Sequence, residues 1–140
     1  MTSDNMDFRM EVVVVPVSDV DRAKAFYTEQ AGFELDVDTW QGEMRVVQLT
    51  PPGSACSIVI GPGQSEPGSL KGLQLVVSDI RAARSLLAGR GMEIGEVQVF
   101  EAGKPRPARD DDVLDMVGFV FFNDPDGNAW AVQQMPERKS

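Results

Sequence analysis

The feature that most constrains this chain is an internal repeat. Glu11 to Phe33 runs as a valine-rich strand, a tight turn and a helix, and sixty positions later the same order returns in Lys71 to Met92. Val12 to Asp19 aligns without a gap with Gly72 to Asp79: Val13 with Leu73, Val15 with Leu75, Val17 with Val77, Ser18-Asp19 with Ser78-Asp79. Past the turn, Val20, Ala23, Phe26 and Tyr27 answer to Ile80, Ala83, Leu86 and Leu87, one apolar helix face in each copy, and the glycines Gly32 and Gly91 follow. A match of this order implies a duplication, so the remaining chain must fit two copies of one module.

Each copy can be read forward. Phe8 to Val17 is a buried strand with Pro16 near its end, and Ser18 or Asp19 caps a helix that stops at Gly32. Phe33 to Trp40 alternates as a half-buried strand, Gln41-Gly42 turns, Met44 to Thr50 is a third strand, and Ala55 to Ile60 a fourth. The second copy repeats this with a strand at Leu73 to Val77, a helix at Asp79 to Arg90 and a strand at Glu93 to Phe100. A polar surface loop or flap follows at Glu101 to Asp112, and the last hairpin is Met116 to Phe122, the turn Asp124-Pro125-Asp126-Gly127, and Asn128 to Gln134. The expected class is α+β: two βαβββ modules, 8–61 and 71–135, joined by a linker at 62–70 within one domain, 8–135.

Composition narrows the function. The net charge of −9 argues against nucleic acid as a partner, because phosphate backbones are held by clustered Lys and Arg. No apolar run is long enough for a membrane span, and the first residues lack the pattern of a secretory signal. One cysteine, Cys56, fits a reducing cytoplasm and a structural thiol. The chain has no histidine, which removes Ser-His-Asp and Cys-His catalysis and the commonest catalytic metal ligand. Asp124, Asp126, Gly127 and Asn128 look like part of a calcium loop but lack its closing Glu, and a hairpin turn accounts for all four. Asp110-Asp111-Asp112 reads as a solvated loop. Glu43 and Glu101 are the carboxylates best suited to acid/base work without a metal. Tyr27 belongs to the core with its hydroxyl at the rim, and Trp130 to the core on the helix-facing side.

Two such modules, with Ser-Asp-Val or Ser-Asp-Ile at each strand-to-helix turn and Asp-Pro-Asp-Gly-Asn in the last hairpin, resemble the vicinal oxygen chelate superfamily of glyoxalases, bleomycin-resistance proteins and extradiol dioxygenases. The resemblance implies a curled mixed sheet around a cavity, helices outside, and a homodimer that could exchange modules. It also implies a divalent metal on inward-pointing His, Gln and Glu side chains. The corresponding positions here are Val12, Gly72 and Ala131, with the fourth within Ser57 to Ile60, so the metal site is degenerate and no cofactor is expected. Strand alternation extends that face to Val14, Gln74, Ala129 and Gln133, joined by Trp40, Gln48, Phe119 and Phe121. Trp40, Gln48, Gln74, Phe119, Phe121 and Gln133 are thus the candidate ligand-binding residues. The expectation is a cavity protein that sequesters or carries a small organic molecule; the alternative is a glyoxalase-like lyase or isomerase using carboxylates or a metal borne by its substrate. The third reading is an interaction module whose cavity is filled by these residues as ordinary core and which binds no small molecule.

Overall fold

A computed structural model describes residues 6–61 and 65–136; the first part of the expected linker, 62–64, lies outside them. The order is β1 (Val12–Pro16), α1 (Val20–Ala25) continued by a π turn (Phe26–Gln30), β2 (Glu34–Gln41), β3 (Met44–Thr50) and β4 (Ser57–Gly61). The second copy follows as β5 (Leu73–Val77), α2 (Ile80–Gly89), β6 (Gln98–Glu101), β7 (Lys104–Pro107), β8 (Gly118–Asn123) and β9 (Ala129–Gln134). Each module builds one open mixed sheet. The first has the order β1-β4-β3-β2 and the second β5-β9-β8-β6-β7.

The duplication survives in detail. Asp19 Oδ1 accepts from the Arg22 amide at 3.1 Å and Asp79 Oδ1 from the Ala82 amide at 3.1 Å, so both helices start on the same side-chain cap. β1 runs parallel to β4 and β5 parallel to β9, and Gly32 and Gly91 both take positive φ where the helices end. Both helices lie against one face of their sheets, and a single core joins the modules: Val15, Tyr27, Leu49 and Ile60 from the first, Ile80, Val120, Trp130 and Val132 from the second. Each such aliphatic side chain taken from water contributes about 1.5–3 kcal/mol before chain entropy is counted.

Three strand expectations need correction. β1 begins at Val12, not Phe8, because β4 supplies partners only from Ser57 onward; the Ser57 amide bonds to the Glu11 carbonyl at 2.9 Å and the ladder ends there, leaving Phe8 exposed. β6 begins at Gln98, not Glu93, because Arg84 of α2 engages the carbonyls of Ile94 and Gly95. The stretch Glu101 to Asp112 is not all loop: Lys104–Pro107 pairs with β6 as β7. Alternation turns Pro105 and Pro107 so that their missing N–H positions fall on the free edge, the one place in a sheet where two prolines do not interrupt a ladder.

α1 departs from the repeat. The Ala31 amide reaches back to the Phe26 carbonyl at 3.0 Å, widening the helix by one residue over Phe26–Gln30, whereas α2 stays regular to Gly89. Tyr27 is wholly buried there, correcting the expectation of a hydroxyl at the rim. Its O–H donates to Asp124 Oδ2 at 2.8 Å and its oxygen accepts from Trp130 Nε1 at 3.0 Å. Burial first, and the Asp124 charge beside it second, push the phenol well above its ordinary pKa and keep it neutral. Trp130 is buried against the helix side, as expected.

Candidate functional site

Strand register sorts the side chains. On the second sheet the helix-covered face carries Trp130 and Phe122, which are opposed across β8–β9, with Val120, Val132 and Val99. The other, inner face therefore carries Gln74, Val76, Gln98, Phe100, Phe119, Phe121, Ala131 and Gln133. Three rings line up on it. Phe119 and Phe121 stack with centroids 5.9 Å apart and planes 3° from parallel, and Phe100 sets its edge to Phe119 at 5.1 Å and to Phe121 at 6.4 Å. Phe121 is 39% exposed and Phe100 and Phe119 are half-buried, so the ring row is an open wall rather than sealed core.

Amides border the rings. Gln74 Nε2 donates to Gln133 Oε1 at 2.5 Å, and Gln133 Nε2 donates to the Met116 carbonyl at 2.7 Å, which leaves the Gln74 carbonyl oxygen free to accept. Gln98 stands directly across from Phe119, half-buried, with no side-chain hydrogen bond among the described residues. Gln98 and Phe100 join the face because β6 pairs with β8, a register that the sequence alone does not give; the Gln-x-Phe alternation beside the later Phe-x-Phe is the available signal.

The inner face of the first sheet is different. Val12, Val14, Val37, Val46, Gln48 and Val59 share it, with Val12 37% and Val14 50% exposed. Trp40 does not join Gln48. A register shift between Leu35 and Val37 sets Trp40 across from Arg45, on the face of Asp38 and buried Val47. Strand alternation from Phe33 missed this because a bulge changes which residues share a face. Of the six candidate binding residues, Gln74, Phe119, Phe121 and Gln133 are together on the second sheet, Gln48 is on the inner face of the first, and Trp40 lies on its outer face, 63% exposed.

The positions where the resemblance implies metal ligands do not fit a divalent ion. Val12 and Ala131 present only methyl groups on the inner faces, and Gly72 precedes β5. Among the described residues, no group of three His, Cys, Asp or Glu side chains converges on a point. The two carboxylates considered for acid/base work are elsewhere: Glu43 is in the exposed β2–β3 turn, and Glu101 pairs with Arg106 at 3.3 Å on the helix-side face of the β6–β7 hairpin. Asp112 is not simply solvated, since Arg106 grips both its oxygens at 2.8 and 2.9 Å; that pairing first, and the Arg109 amide next, hold its carboxyl well below the usual carboxylate range. Asp110 and Asp111 are exposed. Cys56 is half-buried in the loop before β4.

The Asp-Pro-Asp-Gly-Asn turn is a joint between the modules. Asp124 Oδ1 accepts from the amides of Asp126, Gly127 and Asn128, closing the turn, while Oδ2 takes Tyr27 and Asn128 Nδ2. Asn128, wholly buried, also donates to the Pro16 carbonyl at 2.9 Å and accepts from the Leu70 amide at 3.0 Å, and Asp126 receives the Ser18 hydroxyl at 2.6 Å. A Cβ at Gly68 would stand 2.0 Å from the Asp126 carbonyl oxygen, so the end of the linker is packed onto the same turn. A separate cleft of about 580 Å³ lies beside the π turn, lined by Phe26, Gln30, Glu93 and Phe122 among others; of the candidate binding residues it includes only Phe121.

Two βαβββ modules, the second with β7 added, with parallel first and last strands, a helix on one face of each sheet, and an open inner face define a paired-module α+β fold. The Glyoxalase/Bleomycin resistance protein/Dioxygenase superfamily model matches residues 9–132, and the chain belongs to that family. It is 29% identical over 127 residues to the uncharacterized protein YetH of Bacillus subtilis (strain 168), covering 87% of this chain and 94% of that protein. Among solved structures it is similar to TnmS3, an antibiotic binding protein from Streptomyces sp. CB03234, with 30% identity, a TM-score of 0.72, and 94% and 98% of the two chains covered. A superfamily member from Sphaerobacter thermophilus DSM 20745 superposes with a TM-score of 0.71 at 26% identity, covering 93% and 99%. Among the described residues no helix is long and apolar enough to cross a membrane.

Proposed function

We propose that this protein binds a flat aromatic small molecule against the inner face of its second sheet and acts by sequestering or carrying it. The observation that carries this reading is the row of Phe100, Phe119 and Phe121, with the Gln98 amide and the Gln74 carbonyl oxygen unpaired at its border among the described residues. Partly exposed rings gain by contact with a flat apolar ligand, and amides can read the carbonyl or hydroxyl groups of a polycyclic ligand. Among the described residues no cationic side chain shares that inner face, and the chain carries −9, so the preferred ligand is neutral or positively charged. TnmS3, at 30% identity, is an antibiotic binding protein, which supports a small-molecule role of the same kind here. A lyase or isomerase using Glu43 or Glu101 has less support, since neither carboxylate borders the ring row.

A second copy of the chain would complete the site. Val12, Val14, Val76 and Phe121 are each more than a third exposed on inner faces, an arrangement that an opposed copy could cover around a bound ligand. The functional unit we propose is this homodimer, in the cytoplasm, where one half-buried cysteine and no disulfide are at home. The test is titration of the purified protein with 9-aminoacridine, followed by fluorescence, beside sedimentation to determine mass. Saturable stoichiometric binding weakened about tenfold or more in Phe119→Ala supports the proposal; unchanged binding in that variant, or none in the parent protein, refutes it.

A further inference from the structure

The β6–β7 hairpin carries more of the site than the three phenylalanines reveal. Register opposes Pro105 to Phe100 and Pro107 to Gln98, so both proline rings continue the inner face outward from the aromatic row. Both are exposed. Arg106, between them, points to the other face opposite buried Val99. There its guanidinium takes Asp112 through two bonds of 2.8 and 2.9 Å and Glu101 at 3.3 Å, and Asp112 accepts the Arg109 amide at 2.6 Å. One side chain thereby ties the edge strand to the segment that leads away from it. Arg106 Nε is buried with no partner among the described residues, which costs stability. Three guanidinium–carboxylate bonds and the Arg109 amide fix the edge strand against the segment that follows it, so the consequence of the cluster is where it holds the strand.

We infer that the hairpin selects the ligand by length: Pro105 and Pro107 form a rigid lip that extends the stacking wall for a fused-ring system, and Arg106 is the positioning residue that holds the lip in plane. This rests on the aromatic-ligand reading above and adds the class within it, a flat cation or neutral molecule of three or more fused rings. A shorter ring system rests on Phe119 and Phe121 alone and does not reach the lip. Among the described residues the first module has no counterpart, since β2 ends its sheet without a further strand.

The test compares two cations of the same chemistry, 4-aminoquinoline with two fused rings and 9-aminoacridine with three. A Pro105→Ala/Pro107→Ala double variant should weaken 9-aminoacridine about tenfold, the scale of one lost ring contact, and leave 4-aminoquinoline within about twofold. Arg106→Met should lower the same selectivity ratio, with partial recovery in Arg106→Lys, a pattern that general destabilisation would not produce. The double proline variant leaves the ion cluster intact and so guards against misfolding. Binding of both probes with an unchanged ratio in all three variants overturns the selector role and leaves the binding reading standing. Binding of neither probe by the parent protein overturns both.

Discussion

The two modules share a scaffold and differ where a ligand would meet them. Both start their helices on an aspartate cap, pair first and last strands in parallel, and turn at a positive-φ glycine. Their inner faces have diverged: the first is mostly valine, the second an aromatic row bordered by glutamines and extended by an additional edge strand. Their helices have diverged too, since α1 carries Tyr27 and a π turn where α2 carries Leu87 and a regular end. Module one supplies the partner that positions the hairpin turn of module two, and module two supplies the chemically distinctive surface. Duplication thus left one half free to specialise while the joint kept the halves in register.

That division can be broken at the joint, where the largest effect is expected. Asn128→Ala removes the amide that links Pro16, Leu70 and Asp124, and the buried groups left unpaired should cost about 3 kcal/mol or more in urea unfolding. A loss under about 1 kcal/mol would show that the modules hold together without it. Next comes Tyr27→Leu, which gives α1 the residue α2 already has. It should cost about 2–3 kcal/mol, because Asp124 loses a donor, Trp130 an acceptor and the ring its contacts with Phe33 and Trp130; Tyr27→Phe, which loses only the hydrogen bonds, should account for roughly half. Equal stability of Tyr27→Leu and the parent would make the difference between the helices incidental.

The contrast between inner faces is sharpened by a matched pair. Phe119→Ala should weaken 9-aminoacridine by about tenfold or more, and Val14→Ala by less than about twofold, both read by fluorescence titration. Equal losses would assign the ligand to both sheets.

The smallest expected effect is acid sensitivity, one ion cluster per module. Arg45 first and Lys24 next hold the Asp38 carboxyl below the usual range, as Arg106 and the Arg109 amide do for Asp112. A carboxyl with a lowered folded-state pKa contributes stability above its unfolded pKa, about 3.9, and loses it as pH falls through the lower folded value. The stability difference between the parent and Asp38→Asn or Asp112→Asn should therefore be constant from pH 5 to 7 and shrink below about pH 4. These side chains are only partly covered, so the differences should be small and reduced by salt. A difference that persists unchanged at pH 2.5 would remove charge pairing as its cause.

Much of this molecule was legible in its residues. Helix α2, β3 and β5 follow from periodicity and caps that are local properties of the chain, and the repeat itself required two modules of one design. The absence of histidine is a property of the sequence that needs no coordinates. What local pattern could not determine depended on partners distant in sequence. β1 and β6 are short because a neighbour or an arginine claims their backbone elsewhere, a bulge sends Trp40 to the outer face, and Lys104–Pro107 becomes a strand because β6 offers an edge that prolines tolerate. The Asp-Pro-Asp-Gly-Asn turn reads as a hairpin in one dimension; only the fold brings Pro16, Ser18, Tyr27 and Leu70 to it, since hydrogen bonds between residues 58 to 112 positions apart have no signature in the residues on either side.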